Sequence, residues 1–440
     1  MESTHRRSDP FFAPRTRRRL QRLVGTTALL LIGSAAIFTG CGETPAETRA
    51  RLERLIAENQ NEAVLAEINE LLIENNRELS TPLNEETAPR ILKRSLDGSV
   101  AAWTQSGEFH FHRADASGSV DLGDANLREF TLSYSGRYAV VLAELEKGCR
   151  PFVVSLGGEA ILETPDLPDG SCYEAPVVTD DGRFFFYPEK GGVRFIEIQS
   201  AAAAGEDAQT GEAPGAPENL SSKKFPPKYK KITNQFSIEQ INRRGLLIFH
   251  GSAGAYNLYF YSGSGSSVSQ VKPGGKGMIA RARLYSVFEG DTIASEDDPE
   301  LSETDGDGNE ERAPAGGAYG LDTVQAFVYA GGAGKRRLHG LRFSNPPKFQ
   351  QGLPARVTQH LTFVRDRREF LILHRDHMSY WDPLRNKKSA LPLVARGFVL
   401  YSGGLVYIDL LNRLYLRKQP FSPFELELMR LRKKATPAAK

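Results

Sequence analysis

From residue 91 to residue 416 one pattern recurs. A short polar turn leads into a mostly apolar run, and a second strand-like run follows after another short connection. The first runs are SVAAW (99–103), YAVVL (138–142), FFFY (184–187), LLIF (246–249), AFVY (326–329), FLIL (370–373) and FVLY (398–401). Their followers are FHFH (109–112), PFVVSL (151–156), VRFIEI (193–198), NLYFY (257–261), HGLRF (339–343), MSYW (378–381) and LYL (414–416). Several first runs share a turn: Leu96-Asp97-Gly98-Ser99, Tyr134-Ser135-Gly136-Arg137 and Asp180-Asp181-Gly182-Arg183, with Asn242-Arg243-Arg244-Gly245 as a degenerate form. Glycine supplies the positive φ such turns require, and Asp or Asn caps them. Gly98 to Gly136 is 38 residues and Gly136 to Gly182 is 46; the next interval, 63 residues to Gly245, contains a low-complexity insert.

Hairpin strands at this period are the mark of a β-propeller blade. One blade cannot bury both of its faces. A closed ring of blades buries each sheet against its neighbours and leaves few open edges. The expected fold is therefore all-β: a β-propeller of about seven blades (six or eight also fit) over residues 91–420, with a short N-terminal helical segment. A pair of β-sandwiches, which also shows many short strands, is the competing arrangement. The Asp-Gly-Arg turns before apolar strands resemble the propeller repeats of the periplasmic Tol-Pal component and its relatives. The WD signature of WD40 repeats is absent, and the one Trp-Asp pair, Trp381-Asp382, is isolated.

Ahead of the repeats, the first 22 residues hold seven arginines, no lysine, and only Glu2 and Asp9 as acids. Leu23 to Gly40 then carries no charge. A basic region before an apolar one is the layout of a secretory signal. The run ends in Phe38-Thr39-Gly40-Cys41, which resembles the lipobox of bacterial lipoproteins, with Phe38 in place of the usual Leu. The resemblance implies a signal peptide over 1–40, cleavage before Cys41, and lipidation (palmitate among the acyl groups) of Cys41 as the new N-terminus. The other reading is an uncleaved membrane anchor, for which 18 uncharged residues are barely long enough. Both place residues 42–440 outside the cytoplasm. Gly42 follows the cysteine where Asp would signal retention in the enterobacterial sorting rule, which favours the outer membrane.

Without residues 1–40 the chain has 49 basic and 52 acidic residues, a net charge of −3, so the basic balance of the whole chain belongs to the signal. It is no argument for nucleic acid binding. Residues 41–90 form the lipid-anchored segment, with helical periodicity over 45–79. Leu52, Leu55 and Ile56 make one apolar stripe; Val64, Leu65, Ile68, Leu71 and Leu72 make another. Asn59-Gln60-Asn61 stands between them, so one helix or two fit equally. The segment reads either as a stalk or as helices packed on the main body. Residues 200–222 and 290–318 are rich in Ala, Gly, Glu, Asp and Pro and read as disordered inserts. Residues 421–440 read as a helix-like run, Glu425 to Leu431, ending in a basic tail.

Candidate chemistry is sparse. With Cys41 assigned to the anchor, Cys149 and Cys172 remain as an even pair in an oxidising compartment. We expect a disulfide between them, closing a loop of about two dozen residues worth roughly 3 kcal/mol in chain entropy; two buried thiols are the alternative. His374 and His377 stand three apart, close to a zinc spacing, but in a hairpin turn with no cysteine partner. His110 and His112 alternate along a strand and share one face. Asp305-Gly306-Asp307-Gly308-Asn309 begins like a calcium loop and fails at Glu310 and Gly316. Lys223 to Lys231 interleaves five lysines with Phe225 and Tyr229, fit for lipid headgroups, an acidic partner or simple solvation. No G-x-S-x-G elbow occurs, and the glycines at 263–265 and 331–334 open no helix. No cofactor and no metal set is expected.

These features together read as a membrane-anchored lipoprotein serving as a protein-interaction scaffold at the cell envelope, on the periplasmic or cell-surface side. Its partners would be the bilayer, through Cys41, and an envelope protein. In general layout this is similar to the propeller lipoprotein of the outer-membrane β-barrel assembly machinery. The alternative is a propeller hydrolase or lyase acting on an envelope polymer, its residues meeting at the channel from several blades.

Overall fold

In a computed structural model, the described residues are 43–436 apart from 85–88, 124, 158–159, 163–165, 168–175, 183, 190–191, 198–217, 220–234, 241–245, 253–254, 262–267, 272–283, 291–292, 294–322, 331–336, 343–347, 350–352, 355–360, 375–376, 383–384 and 386. The strands among them build seven blades. Blade 1 runs outward through Ile91–Arg94, Val100–Gln105, Glu108–Arg113 and Ser117–Asp121. Blade 2 consists of Leu127–Leu132, Tyr138–Glu144, Cys149–Ser155 and Ala160–Leu162. Val177–Val178, Phe184–Glu189, Gly192–Glu197 and Glu218–Asn219 make blade 3, and Gln235–Gln240, Leu246–Ser252, Ala255–Tyr261 and Val268–Val271 make blade 4. Blade 5 has Leu284–Phe288, Ala326–Ala330 and Arg337–Arg342, with Lys348–Phe349 and Leu353–Pro354 sharing its outer edge. Blade 6 is Leu361–Val364, Glu369–Leu373, Met378–Asp382 and Lys387–Leu391. Every pairing inside a blade is antiparallel. The innermost strands of blades 5 and 6 also pair in parallel, Val287 with Phe363 and Phe288 with Val364. Neighbouring inner strands run the same way around a propeller channel, so close approach gives this register.

Blade 7 closes the ring. Gly397–Tyr401, Gly404–Ile408 and Leu414–Arg417 supply its inner three strands, and the outermost comes from the other end of the fold: Thr81–Pro82 pairs with Leu416 and Tyr415. The innermost strand of blade 1 packs beside those of blades 2 and 7. A two-residue edge strand containing proline leaves little backbone for another chain to extend.

The core lies between blades. Val100, Ala102, Phe109 and Phe111 face blade 2, where Phe130, Val141 and Val154 meet them. Ala101 and Trp103, on the opposite side of the same sheet, face Tyr401, Val406 and Leu416 of blade 7. Val100–Gln105 is buried on both faces and has no polar side, which is why it reads as an apolar run, whereas Glu108–Arg113 alternates, with Phe109 and Phe111 buried and His110 and His112 partly exposed. Phe327, Phe363 and Phe370 fill the junction of blades 5 and 6 with ring centroids 4.9–5.1 Å apart.

Three helices accompany the sheets. Helix α1 (Pro45–Ala57) starts at a capping box: the Thr44 hydroxyl accepts from Glu47 N–H and the Glu47 carboxylate from Thr44 N–H. Asn59, with φ of 60°, ends the helical path, so 45–79 is two helices. Helix α2 (Asn61–Glu78) buries Val64, Ile68, Leu72 and Asn76 at four-residue spacing and packs along α3 (Pro423–Ala435). Helix α3 opens on a second capping box, Ser422 with Glu425, and ends in Arg432, Lys433 and Lys434, which suit the negative end of the helix dipole. None of the described helices is long and apolar enough to cross a membrane; the stretch 23–40 lies outside the described residues.

The inserts touch the fold at their margins. Within 200–222, Glu218–Asn219 pairs with Arg194 and Phe195 as the outer strand of blade 3. Within 290–318, Ile293 is buried and its carbonyl accepts from Phe421 N–H at 3.1 Å. An outer strand needs only backbone pairing, which composition does not reveal. The rest of 200–222 lies outside the described residues, as does nearly all of 290–318.

Candidate functional site

The turns between the innermost and second strands repeat one set of hydrogen bonds. In blade 1, Gly98 N–H donates to Ser95 C=O and Val100 N–H to Ser95 Oγ, both at 3.0 Å. In blade 2 the same pair is Gly136 to Ser133 C=O and Tyr138 to Ser133 Oγ; in blade 3 it is Gly182 to Thr179 C=O and Phe184 to Thr179 Oγ1. Each turn then ties to its neighbour. Ser402 N–H of blade 7 donates to Gly98 C=O, Asp97 N–H to Tyr134 C=O, and Ser135 N–H to Asp180 Oδ1. Two of the glycines have both a positive φ and no spare room: a Cβ at Gly136 would lie 2.6 Å from Val100, and one at Gly182 would lie 2.6 Å from the Tyr138 ring.

At the inner wall Arg94 reaches from blade 1 to two other blades. Its Nε donates to Ser286 Oγ at 3.0 Å and its Nη2 to Val287 C=O at 2.9 Å, both in blade 5; Nη1 donates to Leu400 C=O of blade 7. Desolvation pushes its pKa down to about 10, with Asp97 partly opposing. Lys93 beside it pairs with Glu129 at 2.7 Å and donates to Phe130 C=O. These cations cross-brace inner strands.

Of the histidines singled out by sequence, His110 and His112 lie on the blade 1 face toward blade 7, and His374 and His377 lie at a hairpin of blade 6. His110 stacks on Trp103 at 5.4 Å and lies 3.2 Å from Glu108. His112 Nδ1 is 2.7 Å from the Tyr401 hydroxyl of blade 7. Burial lowers the pKa of both imidazoles and raises Tyr401 to about 12. His374 and His377 stack ring on ring at 4.6 Å, with His374 Nε2 2.6 Å from Ser379 Oγ. Stacked rings do not converge on one point, and among the described residues no group of three or more His, Cys, Asp or Glu could hold a metal.

Cys149 is buried at the start of the third strand of blade 2. Leu167 forms an antiparallel bridge with it, and Arg150 pairs with Asp166 at 2.9 Å, so the returning chain is laced beside the cysteine. Cys41, Cys172, Asp305–Asn309, Lys223–Lys231 and the glycines at 263–265 and 331–334 lie outside the described residues.

Two sites were not legible from spacing. Arg417 and Glu425, both fully buried, form a bidentate pair at 2.9 and 2.7 Å. Glu425 also accepts from Asn76 Nδ2 at 2.7 Å, and Asn76 C=O accepts from the Tyr407 hydroxyl at 2.8 Å. This cluster joins α2, α3 and blade 7. The second is the tip between the second and third strands of blade 7, where Asp409 organises the backbone and leaves Leu411 58% exposed.

No protein-family model matches this chain. No curated protein matches it either. Solved structures do. Hydrazine synthase of Kuenenia stuttgartiensis is 11% identical, with 76% of this chain and 96% of that one covered at a TM-score of 0.41. The Cps50 (Swd1) β-propeller domain of Myceliophteria thermophila is 10% identical over 77% and 99%, TM-score 0.45. TolB from Acinetobacter baumannii is 9% identical over 68% and 61%, TM-score 0.35. Likeness at this level says nothing about activity, and the fold assignment rests on the strand order described above.

Proposed function

We propose that this protein is a lipid-anchored interaction scaffold of the cell envelope. The observation that carries the reading is the N-terminal stretch: seven arginines, then 18 uncharged residues ending in Gly40-Cys41. Cys41 is the lipidation site, and Gly42 after it favours the outer membrane. The propeller is the body held at that surface, offering loop-lined faces to a protein partner. How the titratable groups are used supports a binding role. Arg94, His112 and Tyr401 are spent on contacts between blades, and His110 stacks within blade 1 against the blade 7 boundary. We also propose that Cys149 pairs with Cys172. Leu167 is fixed beside Cys149, and Cys172 follows five residues later, within the reach of about 17 Å that an extended chain of that length allows.

Crosslinking in intact cells, followed by pulldown through the C-terminus, tests the scaffold directly. A recurrent envelope protein partner is the expected result. Turnover of envelope glycans or peptides, lost on mutating residues that converge at the channel, would replace this reading with the hydrolase or lyase one.

A further inference from the structure

Resting on the scaffold reading, we propose that the blade 7 tip, Asp409 to Arg413, is a preformed docking knob for an acidic protein segment that receives Leu411. The tip is braced from several sides. Leu411 N–H and Arg413 N–H both donate to Asp409 Oδ1 at 2.8 Å, and Asn412 N–H donates to Asp409 C=O at 3.1 Å. Asp409 Oδ2 accepts from Arg77 Nη2 at 2.8 Å and Nε at 3.1 Å. Arg396 Nη1 holds Asn412 Oδ1 at 2.7 Å, and Asn412 takes the left-handed φ of 64° that the turn needs.

What this bracing presents is unusual for the molecule. Leu411 is the one large hydrophobic side chain exposed among the described residues. The tip that corresponds to it in blade 2 carries the polar Glu146 and Lys147, and that of blade 1 carries Ser106 and Gly107. A lone exposed leucine needs no explanation in itself. A leucine held on an immobilised turn is different, because binding through it orders nothing further, and ordering is a large cost of association. Charge selects the partner. Asp409 is neutralised by Arg77, whereas Arg396 and Arg413 meet no carboxylate among the described residues. Arg413 follows the leucine by two residues and Arg396 holds Asn412 next to it, so the complementary surface is acidic around an apolar pocket or side chain.

The test replaces Leu411 with the photo-crosslinker p-benzoyl-phenylalanine in the full-length, membrane-delivered chain, alongside the same replacement at Lys147 and at Ser106. The expected result is a protein adduct from position 411 whose crosslinked peptide is acidic. Arg413→Glu should reduce its yield at least about tenfold, the scale of an interface hot spot. Arg413 contributes only backbone to the turn, so this variant keeps the fold; an unchanged thermal melt confirms it. The proposal is overturned by an adduct indifferent to Arg413→Glu, by a basic or neutral crosslinked peptide, or by an adduct to lipid or to a second copy of the chain. Adducts at 147 or 106 with none at 411 overturn the knob and leave the scaffold standing. No adduct at any position overturns both.

Discussion

Blades 1 to 3 hold their inner turns with a serine or threonine hydroxyl and a glycine, and the same bonds recur from blade to blade. Blade 7 cannot use repetition to close, since its fourth strand arrives from residues 81–82. It uses a buried polar cluster instead: Arg417 and Glu425 with no exposed side-chain surface, Asn76 bonded to Glu425, and Arg77 bonded to Asp409. A repeated junction is cheap because each turn bonds to the next through a backbone N–H. A closing seam must choose one partner among similar edges, and buried charges penalise every other arrangement. Breaking a buried pair is strongly destabilising, although a matched apolar pair can be as stable.

The largest expected effect tests that contrast at the seam. Glu425→Ala leaves the Arg417 guanidinium buried and unpaired and should cost about 3–5 kcal/mol in urea unfolding. The double change Arg417→Met with Glu425→Met should recover most of the loss. If the single variant unfolds like the parent, the seam is not where closure is secured.

Next come the glycines. Gly136→Ala forces a positive φ on alanine and places a Cβ against Val100, with an expected loss of about 2–4 kcal/mol. Gly123 also has a positive φ but nothing within 4 Å of its Cβ position, so Gly123→Ala should lose only about 1–2 kcal/mol. Equal losses would mean that conformation alone, and not blade-to-blade contact, explains the turn. Smaller again is Ser133→Ala, which removes the Oγ that accepts from Tyr138 N–H and should cost about 1 kcal/mol, as should Ser95→Ala in blade 1.

The smallest effect is pH dependence at the boundary of blades 1 and 7. Burial lowers the folded-state pKa of His110 and His112 below the ordinary value of about 6.5. The unfolded chain therefore binds these protons first, and their contribution is complete above that pH and lost as the pH falls through it. Thermal melts of the parent should drop between about pH 7 and 5, and His110→Gln with His112→Gln should flatten part of that drop. A variant with the same slope would remove the imidazoles from the account.

Second strands such as Val100–Gln105, Tyr138–Glu144 and Glu369–Leu373 could be read from sequence because they are buried on both faces and form apolar runs. Most innermost strands could not. Val177–Val178 is two residues long, and Ile91–Arg94 carries the lysine and arginine that brace the channel. Blade 7 departs from the pattern of the others: the first run FVLY (398–401) is its innermost strand, the follower LYL (414–416) lies in its third, and Gly404–Ile408 between them is the second. Glu425 stands in a run that reads only as helix-like, and its partner Arg417 lies eight residues back on a strand, a separation no helical or strand period predicts. The alternating histidines did share a face, as the strand period required, and that face packs against blade 7.

Acylation of Cys41 is the most direct test of the anchored scaffold. Cells expressing the chain, or Cys41→Ser, are fed an alkyne analogue of palmitate, and the purified protein is examined for label and intact mass. The account predicts label on a mature chain that has lost residues 1–40, and neither label nor cleavage in Cys41→Ser. An unlabelled protein that keeps residues 1–40 would contradict it.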